Sequence, residues 1–264
     1  MSLDIQLEQL YERIELVSGM GSPRRGKLCI MSLVAFLSGD RHTDEPRTAS
    51  SLIRLFAIPL NDGMDGATRQ RLKPFAPRII GTADRRDAER AELLFTAMYE
   101  EVLPEALKDR HPFFARAGAG KDAKAVESLY ALLRQIKSGE RKHVREMLEQ
   151  VDGGDATLFE ALWRVAKAYR SGMYNSMAET AASLLVGLAQ AAPTAERTNW
   201  YWNKAIDLLD RMCDVGAEDR VPEIRLDRVA ALQNAPDNRY RGASAVYRRL
   251  MANLKGAKSA DPVG

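Results

Sequence analysis

Cysteine and histidine are scarce in this sequence, with two cysteines and three histidines among 264 residues. Cys29 and Cys213 lie far apart, each inside an apolar helical pattern and without a CxxC motif. This spacing argues against a disulfide framework. No histidine has a second histidine or cysteine three or four residues away, the spacing of a helix-borne metal site. The sequence therefore predicts two buried thiols, no metal and no cofactor.

Long apolar runs are also missing. The longest is Leu28–Leu37, about half the length that a bilayer span requires, and Ser32 interrupts it. The first 18 residues are amphipathic and acidic, unlike the basic and then apolar pattern of a secretion signal. We therefore expect a soluble cytoplasmic protein that does not associate with membranes.

Neither sign of charge dominates, because 39 Lys and Arg residues face 36 Asp and Glu residues, which leaves a net charge of +3. So small an excess does not by itself indicate a polyanionic partner. Hydrophobic residues make up 45% of the chain and charged residues 28%. This composition is typical of a globular domain with a packed core. It differs from that of disordered chains, which contain few apolar residues.

Alternating apolar and polar runs of strand length are absent, which predicts an all-α fold. Apolar residues recur instead at helical spacing, and the fold that we expect is an irregular multi-helix bundle. Helical hairpins of roughly 35 to 40 residues from Ala123 onward leave open an α-solenoid, tetratricopeptide-like arrangement in the C-terminal half. A two-heptad stripe opens the chain and predicts a first helix that Gly19 and Gly21 end. The stripe consists of Leu3, Leu7, Leu10, Ile14 and Val17.

Local signals predict where two further helices begin and end. Thr48 is expected to cap a helix that Pro59 and residues 61–63 stop. Asp84 and Asp87 together resemble a capping box at the start of a long helix.

Glycines among small residues mark residues 115–122 as the best candidate linker. Beyond it, Pro222 is expected in the first turn of a helix. The predicted divisions are an N-terminal helical subdomain at 1–114, the linker at 115–122, a C-terminal helical-hairpin subdomain at 123–255 and a disordered tail at 256–264.

The segment Gly21–Leu28 satisfies the pattern GxxxxGK. A phosphate-binding loop then needs a Ser or Thr for magnesium and a preceding β-strand, whereas this segment has Leu28 and no predicted strand. We interpret the segment as a glycine-rich turn with cationic residues.

The most polar compact cluster of the first half is the loop from Asp40 to Glu45, which contains His42. His42 could act as a general base or a ligand together with Asp40, Asp44 or Glu45. A hydrogen-bonded loop that caps the following helix is the favoured alternative, because no nucleophile or cofactor cradle lies nearby.

The segment Lys27–Thr82 has a Cys-x-Met helix, a Thr-Asp-x-Pro loop, an Asn-Asp helix end and a Pro-Arg-x-x-Gly-Thr close. It resembles a segment found in uncharacterised bacterial proteins of no known activity, and it covers about a fifth of the chain. Shared polar loop positions imply a role beyond packing. The matching positions are Cys29, Met31, His42, Thr43, Asp44, Pro46, Asn61, Asp62, Arg71, Pro77, Arg78, Gly81 and Thr82. The resulting candidate polar site consists of His42, Asp44, Asn61, Asp62, Arg71 and Arg78.

Two basic surfaces complete the set of candidates. One lies in the glycine-rich turn, and the other lies in Tyr240–Leu254, where cations border an apolar stripe at helical spacing. Their residues are Arg24, Arg25 and Lys27 in the first surface, and Arg241, Arg248 and Arg249 in the second.

Three functions remain open from the sequence. Because no catalytic set is assembled, the favoured one is a non-catalytic bacterial interaction or scaffold protein that binds another protein. A second copy of the chain is an alternative partner. The other two are a nucleic-acid-binding accessory protein that uses the basic surfaces with weak affinity, and an enzyme of unknown reaction with a polar site in residues 40–82.

Overall fold

The computed structural model describes residues 3–110, 131, 138, 156–225, 227 and 228. This part of the chain is predominantly helical, which confirms the prediction of an all-α protein. The helices are α1 (Leu3–Arg13), α2 (Ile30–Ser38), α3 (Ser51–Gly63), α4 (Gly66–Gln70), α5 (Phe75–Ile79), α6 (Asp87–Ala97), α7 (Leu103–Arg110), α8 (Ala156–Arg170), α9 (Tyr174–Gln190) and α10 (Ala195–Asp214).

Three short strands interrupt the helical pattern near the N-terminus, where the sequence predicted none. They are β1 (Glu15–Leu16), β2 (Gly21–Ser22) and β3 (Lys27–Leu28), in the order β1-β3-β2. β3 runs parallel to β1 and antiparallel to β2. The expected first helix therefore stops at Arg13, because burial alternates from Ile14 to Leu16 with the period of a strand.

The N-terminal stripe is nevertheless a packing element. Leu7, Leu10 and Ile14 are buried in the core of the same chain, while Val17 lies beyond the helix and is only partly buried. Tyr11 is partly buried beside them, and burial raises the pKa of its hydroxyl to about 12. The stripe thus packs on the body of the protein.

The start of α3 and the effect of Pro59 differ from the sequence prediction, whereas the helix ends at Gly63, within the predicted stop at residues 61–63. Ser50, not Thr48, caps the helix, because its Oγ accepts a hydrogen bond from the backbone N–H of Ile53 at 3.1 Å. The helix then continues through Pro59 to Gly63. Tertiary packing outweighs the hydrogen bond that proline cannot donate, because the length of α3 lies against α9.

The start of α6 also corrects the expected capping box. Arg86 occupies the position before the first turn and makes no side-chain cap, while Asp84 and Asp87 bind Arg90 instead. A π-helical turn at Met98–Val102 joins α6 to α7.

In the C-terminal half, α9 is the central helix and packs against α3, α8 and α10. Its buried face is rich in alanine, which lets neighbouring helices approach closely. After α10 and a 3₁₀ turn at Ala217–Asp219, residues 220–225 have no helical turn, so Pro222 does not begin a helix. The predicted linker, the tail and Tyr240–Leu254 lie outside the described residues. Among the described helices, none combines the length and the apolar character that crossing a bilayer requires.

Candidate functional site

The six residues of the candidate polar site take part in separate sets of contacts. His42 is exposed and Asp44 is partly exposed in the loop after α2, and Arg71 is exposed between α4 and α5. Asn61 and Asp62 lie together at the end of α3, and Arg78 lies at the end of α5.

Asn61 is fully buried and joins α3 to the short sheet. Its Nδ2 donates to the backbone oxygen of Val17 at 2.8 Å, and its Oδ1 accepts from the backbone N–H of Ile30 at 3.1 Å. Nδ2 also donates to Asp62 Oδ1 at 2.9 Å, and that oxygen accepts from the N–H of Gly19 at 2.8 Å. These side chains replace peptide groups at the ends of β1 and β3, so their role here is to hold the fold together.

Gln70 plays a similar part that the sequence analysis missed. Its Oε1 accepts from the backbone N–H of Leu16 at 2.9 Å, and its Nε2 donates to the carbonyl of Leu16 at 2.9 Å. The amide therefore pairs with β1 as a neighbouring strand does, and it closes that edge of the sheet.

Arg78 connects α5 to α10. Its guanidinium donates to Asp210, lies 2.7 Å from Asp214 Oδ1 and covers the ring of Phe75 at 5.4 Å from the centroid. Burial opposes the positive charge, but the hydrogen bond to Asp210 and the nearby negative charges together outweigh it and raise the pKa of Arg78. The contacts of Arg78 are thus with the adjacent helix.

The loop that contains His42 borders a polar depression of about 580 Å³. Within the loop, Asp40 Oδ2 accepts from the backbone N–H of Arg47 at 2.9 Å, and Glu45 pairs with Arg54 of α3 at 2.6 Å. These local contacts are those of a hydrogen-bonded loop that precedes a helix. The residues that line the depression are Gly39, Asp40, Arg41, Thr43, Glu45 and Arg47.

The strongest charge cluster of the described chain surrounds Arg90, which is fully buried. Arg90 Nη1 donates to Asp84 Oδ1 at 2.6 Å and Nη2 donates to Asp84 Oδ2 at 2.7 Å, a bidentate pair. Nη1 also reaches Asp87 Oδ1 at 3.2 Å. Burial tends to raise the pKa of Asp84, but the hydrogen bonds from Arg90 and the backbone N–H of Arg86, together with the charge of Arg90, outweigh it and lower that pKa. The buried cation is therefore compensated by two carboxylates.

Arg90 also connects distant parts of the backbone. Its Nε donates to the carbonyl of Met212 at 3.1 Å and its Nη2 to the carbonyl of Val215 at 3.0 Å. Its Nη1 donates to the carbonyl of Thr82 at 3.1 Å. One side chain thus ties the turn before α6 to the end of α10, and these long-range contacts leave no periodic signal in the sequence.

Hydroxyl groups adjoin this cluster without forming a catalytic set. Ser50 Oγ donates to Asp87 Oδ1 at 2.5 Å, and Ser50 N–H donates to Thr82 Oγ1 at 2.8 Å. A nucleophile needs a base that is able to take its proton. Asp87 Oδ1 also accepts a hydrogen bond from Arg90, so this arrangement is structural.

Both cysteines are buried, as the sequence predicts. Cys29 Sγ accepts from the backbone N–H of Ser32 at 3.3 Å and caps α2, and burial raises the pKa of the Cys213 thiol to about 12. A thiol with a raised pKa is a poor nucleophile. Across the described ranges, no three His, Cys, Asp or Glu side chains are grouped as metal ligands.

An apolar groove of about 360 Å³ lies between α8 and α9. Leucines line it from both helices, and small residues of α9 border it. A side chain added at Gly187 would meet no atom of the described residues within 4 Å, so these residues leave that side of the groove open. The residues that line the groove include Leu158, Ala161, Leu184, Leu188, Ser183 and Gly187.

The first basic surface forms the connection between β2 and β3. Arg25 and Lys27 are exposed there, and Lys27 Nζ lies 3.1 Å from Glu15 Oε2. Gly26 N–H donates to the carbonyl of Pro23 at 3.0 Å, which closes the turn on itself. The side chain of Arg24 and the second surface, with Arg241, Arg248 and Arg249, lie outside the described residues.

A basic face that the sequence analysis missed lies on α8. Arg164, Lys167 and Arg170 are exposed and recur every three residues, and Lys167 Nζ lies 5.2 Å from the centroid of the Trp163 ring. The spacing was visible in the sequence, although exposure on one face was not.

Compared with known proteins, the chain matches no family model, no curated protein and no solved structure.

Proposed function

We propose that this protein is a non-catalytic helical protein that binds another protein, and that the groove between α8 and α9 is its contact surface. The groove supports the proposal because apolar side chains line it and Gly187 leaves its border open. An amphipathic helix of a partner fits such a surface by inserting apolar side chains between the two helices.

The polar side chains offer a second line of support. Asn61 binds the sheet, Arg78 binds α10, and the carboxylates near Ser50 are bound by Arg90. Each of these groups stabilises the fold, and none is left together with a base and a nucleophile in the described part of the chain. The same explanation extends to the bacterial proteins that Lys27–Thr82 resembles, in which matching Asn and Arg positions would serve folding.

The test is affinity capture with the tagged full-length chain from an extract of its native host, followed by mass spectrometry. Gly187→Trp fills the groove, and Ser176→Trp adds the same side chain at an exposed position of α9 outside the groove. We expect the wild type and Ser176→Trp to retain a protein that Gly187→Trp loses. Retention of the same proteins by all three chains would contradict the role of the groove.

The basic face of α8 favours nucleic-acid binding as a second candidate. Three exposed cations, one of them over the ring of Trp163, can contact the phosphates of a nucleic acid. Such binding weakens steeply with salt, because each neutralised phosphate releases counterions. A mobility-shift titration at two salt concentrations, with Arg164 and Lys167 changed to Glu, tests this. Binding that the charge reversal leaves unchanged would eliminate the face as its cause.

A further inference from the structure

Residues 216–225, here called the strap, follow α10 and cross two loops of the N-terminal half. One end is attached where Arg86 Nη2 donates to Asp219 Oδ2 at 2.5 Å, and the other where Arg225 N–H donates to the carbonyl of Leu37 at 2.8 Å. Between them Ile224 packs partly against the core, whereas Val221 is 95% exposed. The strap is therefore attached near its two ends, and between them it contacts the body through Ile224 and the buried side chain of Arg220.

Gly216, at the start of the strap, is a position at which the backbone can bend. Gly216 has a φ of +70°, a conformation that favours glycine. A Cβ at this position would lie 2.8 Å from Arg86 Cδ. Val215, immediately before it, stays bound to Arg90 through its carbonyl at 3.0 Å. The fixed residue next to a glycine gives a hinge position at Gly216.

Arg220 is the least satisfied contact of the strap. Its side chain is 9% exposed and its Nη2 donates to the carbonyl of Cys213, but among the described residues its buried Nη1 has no hydrogen-bond partner. The nearest carboxylate oxygen, Asp84 Oδ2, lies 3.8 Å away and already accepts from Arg90. Two guanidinium groups thus compete for one carboxylate. Burial and the charge of Arg90 both lower the pKa of Arg220, which agrees with this competition. Replacing the guanidinium removes the desolvation cost of the unpaired Nη1 together with the one hydrogen bond of Nη2 to the Cys213 carbonyl.

We propose that the strap is a releasable element that swings away about Gly216 while the helices stay folded, and that the poorly paired Arg220 sets how easily it opens. Opening breaks the contact of Arg225 with Leu37 and removes Ile224 from the core. After opening, Arg90 no longer competes with Arg220 for the carboxylate of Asp84. The ends of α2 and of the turn before α6 then become accessible, which gives the protein a second surface that the closed strap covers. This device is independent of the groove between α8 and α9.

Native-state hydrogen exchange on the full-length chain, measured at low urea concentrations, tests the proposal. The reporters are the amides of Arg220 and Arg225, and the amide of Leu208 in α10 serves as the comparison. We expect the strap amides to exchange faster than Leu208 and with little dependence on urea, because local opening exposes little surface. Equal exchange free energies and urea slopes for strap and helix would overturn the proposal, since the strap would then open only on global unfolding.

Arg220→Met tests the role of the arginine, because methionine keeps an apolar stem without the charge. We expect the Arg225 amide to exchange about fivefold more slowly in this variant, an estimate from the usual cost of an unpaired buried donor. The matched control is Arg86→Met, which removes a paired anchor and should speed exchange. Faster exchange in Arg220→Met would show that Arg220 holds the strap closed, and unchanged exchange would show that it does not influence opening. Either result would overturn its proposed role.

Discussion

At the scale of single residues, arginines decide most of the long-range contacts. Arg90 is buried and paired, Arg78 bridges two helices, and Arg220 is buried but poorly paired. The difference lies in the number of acceptors within hydrogen-bond distance, because a guanidinium has five N–H donors to satisfy. The same residue type therefore stabilises one part of the fold and weakens another.

We predict that Arg90→Met destabilises the protein by about 3 kcal/mol, because it leaves Asp84 and Asp87 without their cation and frees three backbone carbonyls. Urea unfolding followed by circular dichroism measures this. Arg86→Met is the control, and we expect it to cost below about 1 kcal/mol because the ion pairs of Arg86 are partly exposed. Equal losses of unfolding free energy in the two variants would show that the buried cluster stabilises the fold no more than the partly exposed ion pairs of Arg86 do.

Arg85 has a φ of +68°, in the left-handed region that is unfavourable for residues with a Cβ. We predict that Arg85→Gly stabilises the protein by up to about 1 kcal/mol, since glycine adopts this conformation without steric cost. The matched variant is Arg86→Gly, whose φ of −92° offers no such gain. Thermal unfolding of both variants checks the difference, and a loss of stability in Arg85→Gly would contradict it.

At the scale of elements, side-chain amides connect the small sheet to the helices. Asn61 bonds to Val17 and Ile30, and Gln70 bonds to both peptide groups of Leu16. Strands of two residues cannot persist alone, because so few backbone hydrogen bonds do not offset the entropy of ordering. The strands therefore depend on α3 and α4.

We predict that Asn61→Ala destabilises the protein by about 2 kcal/mol, because it leaves the buried N–H of Ile30 without its partner. Hydrogen exchange should also become faster at the amides of Val17 and Leu28, which belong to the sheet. Asp62→Ala provides the comparison, with a smaller effect because Asp62 is exposed. Unchanged exchange in Asn61→Ala would show that the sheet does not depend on this amide.

At the scale of the whole molecule, α10 is the element on which the other parts converge. Arg90 and Arg78 reach it from the first half, and Glu101 binds Lys204 and Arg211 at 2.8 Å each. Together with the packing of α9 on α3, these contacts connect the two predicted subdomains over more than 100 residues of sequence. Unfolding should therefore be cooperative across them.

The same ion pairs predict how stability depends on pH. The pKa values of Asp84 and Glu101 are lowered. Burial tends to raise them, but the hydrogen bonds and charges of Arg90 at Asp84, and of Lys204 and Arg211 at Glu101, contribute to a combined lowering that outweighs it. A carboxyl with a lowered folded pKa stabilises the protein above its unfolded pKa of about 4. That contribution disappears as the pH falls through the lower folded value. We expect the free energy of unfolding to decrease below about pH 4, measured by urea titrations, and to do so less steeply in Asp84→Asn. A pH-independent free energy below pH 4 would contradict the assignment.

The sequence by itself determined what depends on local patterns. Apolar residues at helical spacing predicted α6, α9 and the burial of Leu10, because a helix exposes one face to the core wherever it packs. Tertiary structure decided what depends on distant neighbours. Pro59 remains inside α3 because α9 packs along that helix. The three short strands within residues 15–28 form because Asn61 and Gln70 bind the backbone in and next to them. The same holds for the candidate polar residues. The sequence shows which residue types are present, but their hydrogen-bond partners lie tens of residues away. Only the folded structure decides which donor meets which acceptor.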